Sequence, residues 1–502
     1  MPGRPVAAPS KGASSSAVIP WQASEDSWHG IPPCLVPAPL SPAHPWPRED
    51  FRNPRLLWHT VPVMDLAPRL LQRLFRMALR IFFRRVTVLG QDHIPAEGPL
   101  ILVANHVNAL LDPLLLLSVS PRPVRFLAKA PLFHHPLVAP FLKALRALPV
   151  QRRQDAGSDM AQNARTFEAC GLSLAAGEAV ALFPEGLSHN QPSLQPVKTG
   201  AARIAGRALK AGAEGLAILP VGLVFEEKAV FRSEVAAVVG LPVPCADLDF
   251  GEGEAPEAVT ALTERIAAAL HSVTVNAERW DDLRFVEALR PMALELLGAE
   301  EKDLPRAEAR RLMLESYYRA REEHPRELAL LMSRMRHYAR LLHLLRLEDA
   351  DVAREVSAGP ALAYAWKRLA LLVAGYPLAL YGWLFNAVPY ALTAPVANAF
   401  SRQEDVVATY KLGLGTLLFL FYYAGTAAGL NYLLGPWASA ALVLLGIPAG
   451  LWALHYFEAR EEFLHMVRAV LTLGTRRRAA SRLQALRRGV LQALDPLVHM
   501  YR

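Results

Sequence analysis

Short apolar runs alternate with helical stretches between residues 100 and 250. Apolar residues recur at helical spacing in Met160–Ala176 and Thr199–Ala211. Five runs between and around these helices have the length of buried strands: Leu100–Ala104, Val124–Ala128, Ala179–Phe183, Ala217–Leu223 and Val235–Val239. Such alternation is typical of α/β layer folds, so residues 91–250 are predicted to form a mixed sheet flanked by helices.

An arginine-rich amphipathic helix is predicted just before this domain, over Leu66–Leu89 within residues 61–90. Its arginines recur every three or four residues and share one face, while leucine and phenylalanine fill much of the rest. Such a helix can lie in a membrane interface with its cations on anionic headgroups. Packing against the neighbouring domain is the alternative, and the sequence leaves both open.

Two long charge-free runs lie within residues 361–460. Leu369–Ser401 has 33 residues and Leu412–Phe457 has 46 residues without Asp, Glu, Lys or Arg. A membrane span needs about 20 apolar residues. The second run therefore predicts a two-span hairpin, joined at Gly435–Pro436.

Basic residues flank both charge-free runs, and cationic flanks prefer the cytosolic side of a membrane. Each run is therefore predicted to start and end on the same side. For the run over 369–401 this favours a re-entrant hairpin, broken near Gly375–Pro377 or Asn386–Pro389. A single crossing is the second interpretation.

The remaining regions follow from composition. The 502 residues are too many for one typical domain. We expect residues 1–60 to be a disordered, proline-rich leader, 251–360 a charged helical subdomain and 461–502 a basic C-terminal helix. The net charge of +8 suits nucleic acid, an anionic membrane or an acidic substrate. Nucleic acid is disfavoured, because the arginines cluster beside the apolar runs without a recognition motif.

A histidine and an aspartate follow the first predicted strand. His106 comes directly after Asn105, and Asp112 lies six residues further on. A histidine can take a proton from a hydroxyl when a carboxylate fixes its tautomer. On a regular helix this spacing would point the two side chains apart, at about 100° per residue. The segment must therefore bend as it enters a helix near Pro113.

Three further motifs lie at or near strand ends. Phe183-Pro184-Glu185-Gly186 places a carboxylate where α/β folds keep their ligands. The paired Arg152 and Arg153 can clamp a phosphate. The apolar strand around Pro220 could wall a pocket. Each motif alone is weak evidence. The three cysteines are far apart, so neither a disulfide framework nor a zinc or other metal site is predicted.

The order of these motifs resembles the PlsC-type glycerolipid acyltransferases over roughly residues 85–250. The stretches Asn105–Leu117 and Phe183–Ala202 are similar to the branch with fungal glycerol-3-phosphate/dihydroxyacetone-phosphate acyltransferases and bacterial relatives. That branch also has C-terminal membrane segments. Together with the charge-free runs and their cationic flanks, the resemblance implies a membrane-bound, multi-pass enzyme with its catalytic domain facing the cytoplasm, in a bacterial inner membrane. It implies transfer of an acyl group from acyl-CoA or acyl carrier protein to glycerol-3-phosphate or 1-acylglycerol-3-phosphate, with no cofactor beyond the donor.

Roles for individual residues also come from the resemblance. His106 becomes the general base and Asp112 its orienting partner. The expected substrate-binding residues are Asn105, Arg152, Arg153, Glu185, Gly186, Ser188, His189 and Lys198. Membrane lipids, the donor and the glycerophosphate acceptor are the expected partners.

The chain departs from the common family pattern at two places. Five residues rather than four separate His106 from Asp112. Ser188 stands near the position of a family arginine, so phosphate binding passes to Arg152, Arg153, His189 or Lys198. Two alternatives stay open: an acyltransferase with a different lipid acceptor, and a non-catalytic lipid-binding or transport protein.

Overall fold

The structure is a computed structural model of the chain. It describes residues 66–134, 138–152, 162–251, 254–297, 306–353, 358–401 and 406–500. The predicted leader at 1–60 and Arg153 lie outside these residues.

A mixed seven-stranded sheet forms the centre of the N-terminal half, which confirms the predicted fold class. Its strands are β1 (Arg85–Leu89), β2 (Leu100–Ala104), β3 (Val124–Lys129), β4 (Leu148–Val150), β5 (Ala179–Leu182), β6 (Ala217–Phe225) and β7 (Glu234–Val239). The spatial order is β1-β7-β6-β2-β5-β3-β4. Only the β6–β7 pair is antiparallel. The strands β6, β2, β5, β3 and β4 therefore share one direction, and their carboxyl ends meet at one edge.

Helices cover both faces of the sheet. The helices of this half are α1 (Leu66–Phe82), α2 (Leu111–Val119), α3 (Ala139–Ala144), α4 (Gln162–Ala175), α5 (Gly200–Lys210) and α6 (Pro256–Val273). Alternate residues of β2 point to opposite faces. Leu102 packs in one core with α1 and α2, while Ile101 packs in the other with α4, α5 and α6.

Two predicted boundaries were wrong. The arginine-rich helix ends at Phe82 rather than Leu89, because the β-branched residues of Arg85–Leu89 pair with β7 as a strand. Helix α6 was assigned to the charged subdomain after residue 250 but packs on the sheet. Its apolar stripe, in which Leu262 and Ile266 are fully buried, covers the face of the sheet on which α4 and α5 also pack.

One face of α1 packs against α2. Gln72 Nε2 donates to the backbone oxygens of Leu117 and Ser120, at 2.6 and 3.0 Å. An opposite stripe of apolar side chains stays exposed: Leu70, Leu74, Met77 and Ile81. The helix therefore combines a docked face with an exposed apolar face, and its interfacial position stays a prediction.

A second, helical unit follows the sheet. It contains α7 (Trp280–Leu296), α8 (Arg306–Glu323), α9 (Pro325–Leu345), α10 (Asp349–Ala353) and the C-terminal α14 (Arg477–Met500). These helices share one apolar core, in which Tyr338 and Val490 are fully buried. Arg487 of α14 bridges two carboxylates there, Asp349 at 2.8 Å and Glu295. The chain's basic C-terminal segment is thus a structural part of this subdomain.

Three helices between α10 and α14 in the chain are long and apolar enough to cross a membrane. They are α11 (Ala358–Phe400), α12 (Val407–Leu434) and α13 (Pro436–Thr475). Gly435, at φ 81°, separates α12 from α13, and Pro436 opens α13.

The predicted helix breaks near Gly375–Pro377 or Asn386–Pro389 were wrong, because α11 continues through 369–401 as one helix. That this run enters the membrane without crossing it stays a prediction. Gly375 and Asn386, which the sequence placed at the helix breaks, contact α13 instead. The Trp452 indole donates to Gly375 O at 3.2 Å, and Asn386 Nδ2 donates to Gly446 O at 3.2 Å. A Cβ on Gly382 would overlap the backbone of Ala449. Small residues let α11 and α13 approach closely, as is common between membrane helices.

Candidate functional site

The carboxyl edge of the sheet gathers the predicted polar residues. His106 follows β2, Glu185 follows β5 and Arg152 follows β4. Neighbouring strands lie about 4.8 Å apart, so the β4 end is about 14 Å from the β2 end. Ligands of α/β sheets bind at this edge. We therefore built the candidate site outward from His106.

His106 and Asp112 meet as the sequence predicts. The His106 Nδ1 atom lies 2.9 Å from Asp112 Oδ2. Asp112 is fully buried, and His106 is 7% exposed. A buried pair of this kind holds the ring in one orientation and leaves only its outer edge within reach of a ligand.

A bend between the two residues makes this contact possible. Helix α2 starts at Leu111, with Pro113 in its first turn. The backbone N–H of Asn108 donates to Asp112 Oδ2 at 2.7 Å, and the N–H of Asp112 donates back to Asn108 O at 3.1 Å. These reciprocal bonds turn the chain, so Asp112 faces back towards His106.

The hydrogen bonds also define the His106 tautomer. An ionised carboxylate only accepts, so Nδ1 carries the proton that is shared with Asp112. The Nε2 atom then has a free lone pair. The ring stacks on Phe183, with centroids 4.2 Å apart and planes 15° apart. His106 Nε2 is thus oriented as a base by two contacts on different sides of the ring.

Burial raises the pKa of the Asp112 carboxyl, while its bonds to His106 and to the backbone N–H of Asn108 oppose that rise. The ionised form therefore costs folding free energy, because an aqueous carboxylate is better solvated. Burial of Asp112 thus lowers the stability of the fold, and the same buried carboxylate fixes the orientation of the His106 ring.

Glu185 binds atoms of the protein itself, and its predicted role in substrate binding stays a prediction. It is 2% exposed. Its Oε1 accepts from the backbone N–H of His106 at 2.6 Å, and its Oε2 accepts from the N–H of Gln195 at 2.7 Å. Glu185 therefore anchors the backbone of His106 across the sheet edge.

Both ring nitrogens of His189 also bind atoms of the protein itself, and its predicted contact with phosphate stays a prediction. Its Nε2 lies 2.5 Å from Glu185 Oε2, and its Nδ1 accepts from the N–H of Gln191 at 3.1 Å. The N–H of His189 donates to His106 O at 3.1 Å. Both backbone polar atoms of His106 are thus held by the Glu185–His189 segment. Ser188 lies half-buried within the same turn.

Asn105 has a structural contact too, and its predicted contact with substrate stays a prediction. Its side chain is 6% exposed and pairs with the backbone of Leu223 in β6. Asn105 Nδ2 donates to Leu223 O at 3.1 Å, and Asn105 Oδ1 accepts from Leu223 N at 2.7 Å. This amide extends the β2–β6 pairing by one residue, which sets where His106 leaves the sheet.

Two lysines follow β5 and β6, the strands on either side of the His106 strand. Lys198 is exposed, and its Nζ lies against Gly186, which adopts φ 79°; a Cβ at Gly186 would overlap it. Lys228 follows β6, and its Nζ donates to Asn190 Oδ1 at 2.8 Å. Sequence reasoning found Lys198 but missed Lys228. Lys228 could have been predicted from its position just past the carboxyl end of β6, the strand that contains Pro220.

The two cysteines of the described residues do not supply a nucleophile. Burial raises the pKa of Cys170 to about 12 and also raises that of Cys245. Thiolates are the reactive form, and both thiols stay protonated at neutral pH. Among the described residues at the carboxyl edge of the sheet, His106 is therefore the candidate catalytic group, as a base.

Comparisons with known proteins agree on one class. A family model described as Acyltransferase matches residues 85–224, which contain His106, Asp112 and Glu185. Glycerol-3-phosphate O-acyltransferase 2 of Saccharomyces cerevisiae is 36% identical over 132 residues. That match covers 26% of this chain and 18% of the yeast protein.

The matches to two other relatives cover larger shares of this chain and of the relatives themselves. An uncharacterised acyltransferase of Schizosaccharomyces pombe is 25% identical over 449 residues, covering 68% of this chain and 66% of that protein. A 1-acyl-sn-glycerol-3-phosphate acyltransferase of Borreliella burgdorferi is 24% identical over 197 residues, covering 38% of this chain and 74% of that protein. The chain thus spans less than two thirds of each fungal relative.

Replacing Asp112 by asparagine tests the cost of its burial. Because folding raises the pKa of Asp112, that cost is absent below the ordinary aspartate pKa, grows as pH rises from there to the folded-state pKa, and is constant above it. We expect Asp112→Asn to match or exceed the thermal stability of the detergent-solubilised wild type at pH 7. The difference should shrink towards the ordinary aspartate pKa of about 3.9. The exposed Asp92→Asn is the control, and a clear loss of stability at pH 7 for Asp112→Asn would contradict the account.

Proposed function

We propose that this chain, whose residues 85–224 form an acyltransferase domain, transfers a fatty acyl group from a thioester to a hydroxyl of a glycerophosphate. The observation that carries the proposal is the buried contact of 2.9 Å between His106 Nδ1 and Asp112 Oδ2. It leaves Nε2 as a base at the ligand-binding edge of the sheet. The family match and the two named glycerophosphate acyltransferases support the substrate class.

The reaction needs one proton transfer in each direction. His106 Nε2 removes the proton of the acceptor hydroxyl as that oxygen attacks the thioester carbonyl carbon. The new C–O bond forms, the C–S bond breaks, and the imidazolium returns the proton to the leaving thiolate. Asp112 stabilises the imidazolium while it exists. General base catalysis contributes about 10²–10⁴-fold, and positioning of the two substrates supplies further acceleration.

The acceptor phosphate is proposed to bind between Lys198 and Lys228. They follow β5 and β6 in the chain, and these strands flank β2 on either side. A lysine ammonium binds phosphate as a point charge and needs no fixed bidentate geometry. Arg152 lies further along the same edge and would meet a more distant charge, such as a phosphate of the donor. This arrangement differs from the paired-arginine clamp that the sequence suggested.

The chain is proposed to be a multi-pass membrane protein with both folded units on the cytoplasmic side. Val352 of α10, just before α11, and Ala469 near the end of α13 are buried in the same helical core. Ala408 at the start of α12 is buried in the core of the sheet. The two units are tied together, for example by Arg306 and Glu226 at 2.8 Å. We therefore infer that α12 and α13 cross the membrane as a hairpin, and that α11, a continuous helix, enters it from the cytoplasmic side without completing a crossing.

Removing the base should abolish acyl transfer without unfolding the protein. We expect His106→Ala to lower turnover by about 10²-fold or more, because general base catalysis is lost. Thiol release from acyl-CoA or acyl carrier protein, with glycerol-3-phosphate or lysophosphatidate as acceptor, measures this. His337→Ala, an exposed histidine of α9, should retain wild-type activity. Near-wild-type turnover in His106→Ala would rule out the proposed base.

Removing either lysine should weaken binding of the acceptor. Lys198→Met and Lys228→Met are each expected to raise the acceptor's KM about tenfold, the low end for a hydrogen bond to a charged group. The donor's KM should change much less. Lys210→Met, at the opposite end of α5, is the matched control. A rise confined to the donor's KM would reverse the assignment.

Single cysteines test the membrane arrangement. Ala438→Cys, at the tip between α12 and α13, should react with a membrane-impermeant maleimide in intact cells. Ser401→Cys, just after α11, and Ser481→Cys in α14 should react only after the membrane is permeabilised. The wild-type chain measures the background from its own cysteines. Labelling of Ser401→Cys in intact cells would mean that α11 crosses completely.

A further inference from the structure

The loop between His106 and Asp112 is braced by a residue of an apolar helix. The backbone N–H of Leu110 donates to Thr409 Oγ1 at 3.1 Å, although the two residues are 299 positions apart. Leu110 directly precedes α2, and N–H groups at a helix start have no acceptor within the helix. Thr409 therefore supplies an acceptor that the loop itself lacks.

The start of α12 is seated firmly enough to act as a brace. Ala408 is 1% exposed and belongs to the core formed by the sheet, α1 and α2. Leu412 packs against the same core one turn later. Thr409 lies half-buried between these two anchors, so its hydroxyl is held at a defined position beside Leu110.

A second connection runs from α12 to the same loop. Lys411 Nζ donates to Ala229 O at 2.6 Å. The adjacent Lys228 accepts at its backbone oxygen from Asn108 Nδ2 at 3.1 Å. Two of the residues between His106 and Asp112, Asn108 and Leu110, are thus linked to α12.

The connection between β6 and β7 joins the other apolar helices to this brace. Arg232, at φ 68°, forms a two-pronged ion pair with Glu458 of α13, at 2.7 and 2.9 Å. The Phe231 ring lies 6.1 Å from the Tyr390 ring of α11. All three apolar helices therefore contact the segment on which the His106 loop rests.

We propose that Thr409 is a positioning residue for the His106–Asp112 pair, so that the apolar helices complete the catalytic centre as well as anchoring it. The inference rests on the proposed function. Thr409 does not touch the reacting atoms. It limits the motion of the loop that holds the base at its working angle to Asp112. Weakening this brace should lower the fraction of molecules with a productive His106, and should leave acceptor affinity unchanged.

The experiment compares valine and serine at position 409 with a matched site on the same helix. Thr409→Val keeps the shape but removes the acceptor oxygen, and Thr409→Ser restores an acceptor. Thr416→Val is the control, because the exposed Thr416 hydroxyl donates only to Leu412 O of its own helix. Each protein is purified at full length in detergent or nanodiscs. Two readouts are taken: steady-state kinetics, and amide hydrogen exchange over residues 105–117.

We expect Thr409→Val to lower kcat about three- to tenfold, the factor that loss of one ordinary hydrogen bond represents. KM for the acceptor should stay within about twofold, and amide exchange in the loop should accelerate. Thr409→Ser should restore both readouts, and Thr416→Val should change neither. Wild-type kcat and wild-type exchange in Thr409→Val would overturn the inference, as would a change confined to KM.

The two proposals can fail separately. If the wild-type protein transfers no acyl group to any glycerophosphate acceptor, the proposed function is wrong. The exchange measurement still decides whether Thr409 braces the loop. If the wild-type protein is active and Thr409→Val behaves like Thr416→Val in both readouts, only the bracing role is wrong.

Discussion

A single buried hydrogen bond, between His106 Nδ1 and Asp112 Oδ2, is the constraint that the rest of the site serves. Holding a carboxylate away from water is costly, so the bond persists only where the backbone around it is fixed. Strand β2 ends at Ala104, and the side chain of the next residue, Asn105, pairs with β6. The backbone N–H of Asn108 then binds Asp112 where the chain turns into α2. Each contact removes one way in which the imidazole could turn from the carboxylate.

A second histidine–carboxylate pair lies beside the first and does different work. Glu185 and His189 direct their polar atoms at each other and at the backbone, and they grip His106 through its N–H and its C=O. The first pair leaves a basic nitrogen available, whereas the second has none left. Two pairs of the same residue types are thus separated into a chemical role and a supporting role by their remaining hydrogen bonds.

The sequence predicted the sheet and the His106–Asp112 contact, but not the surroundings of that contact. Long apolar strands such as Leu100–Ala104 are visible because every side chain is buried. Strand β1 was hidden by the arginine pattern that precedes it, and the three-residue β4 is too short to give a signal. A motif marks Glu185 as unusual but does not say whether its oxygens face a ligand or the backbone. Contacts across 299 positions, such as that of Thr409, have no local signal at all.

The tautomer of His106 is the most direct test of the account. Nitrogen NMR of the ¹⁵N-histidine-labelled full-length protein in detergent, at neutral pH, reports which ring nitrogen carries the proton. The His106 signals are assigned by their absence in His106→Gln. We predict a protonated Nδ1 and an unprotonated Nε2, with Nδ1 in a hydrogen bond that Asp112→Asn alters. A proton on Nε2 with a bare Nδ1 would contradict the proposed base and the chemistry built on it.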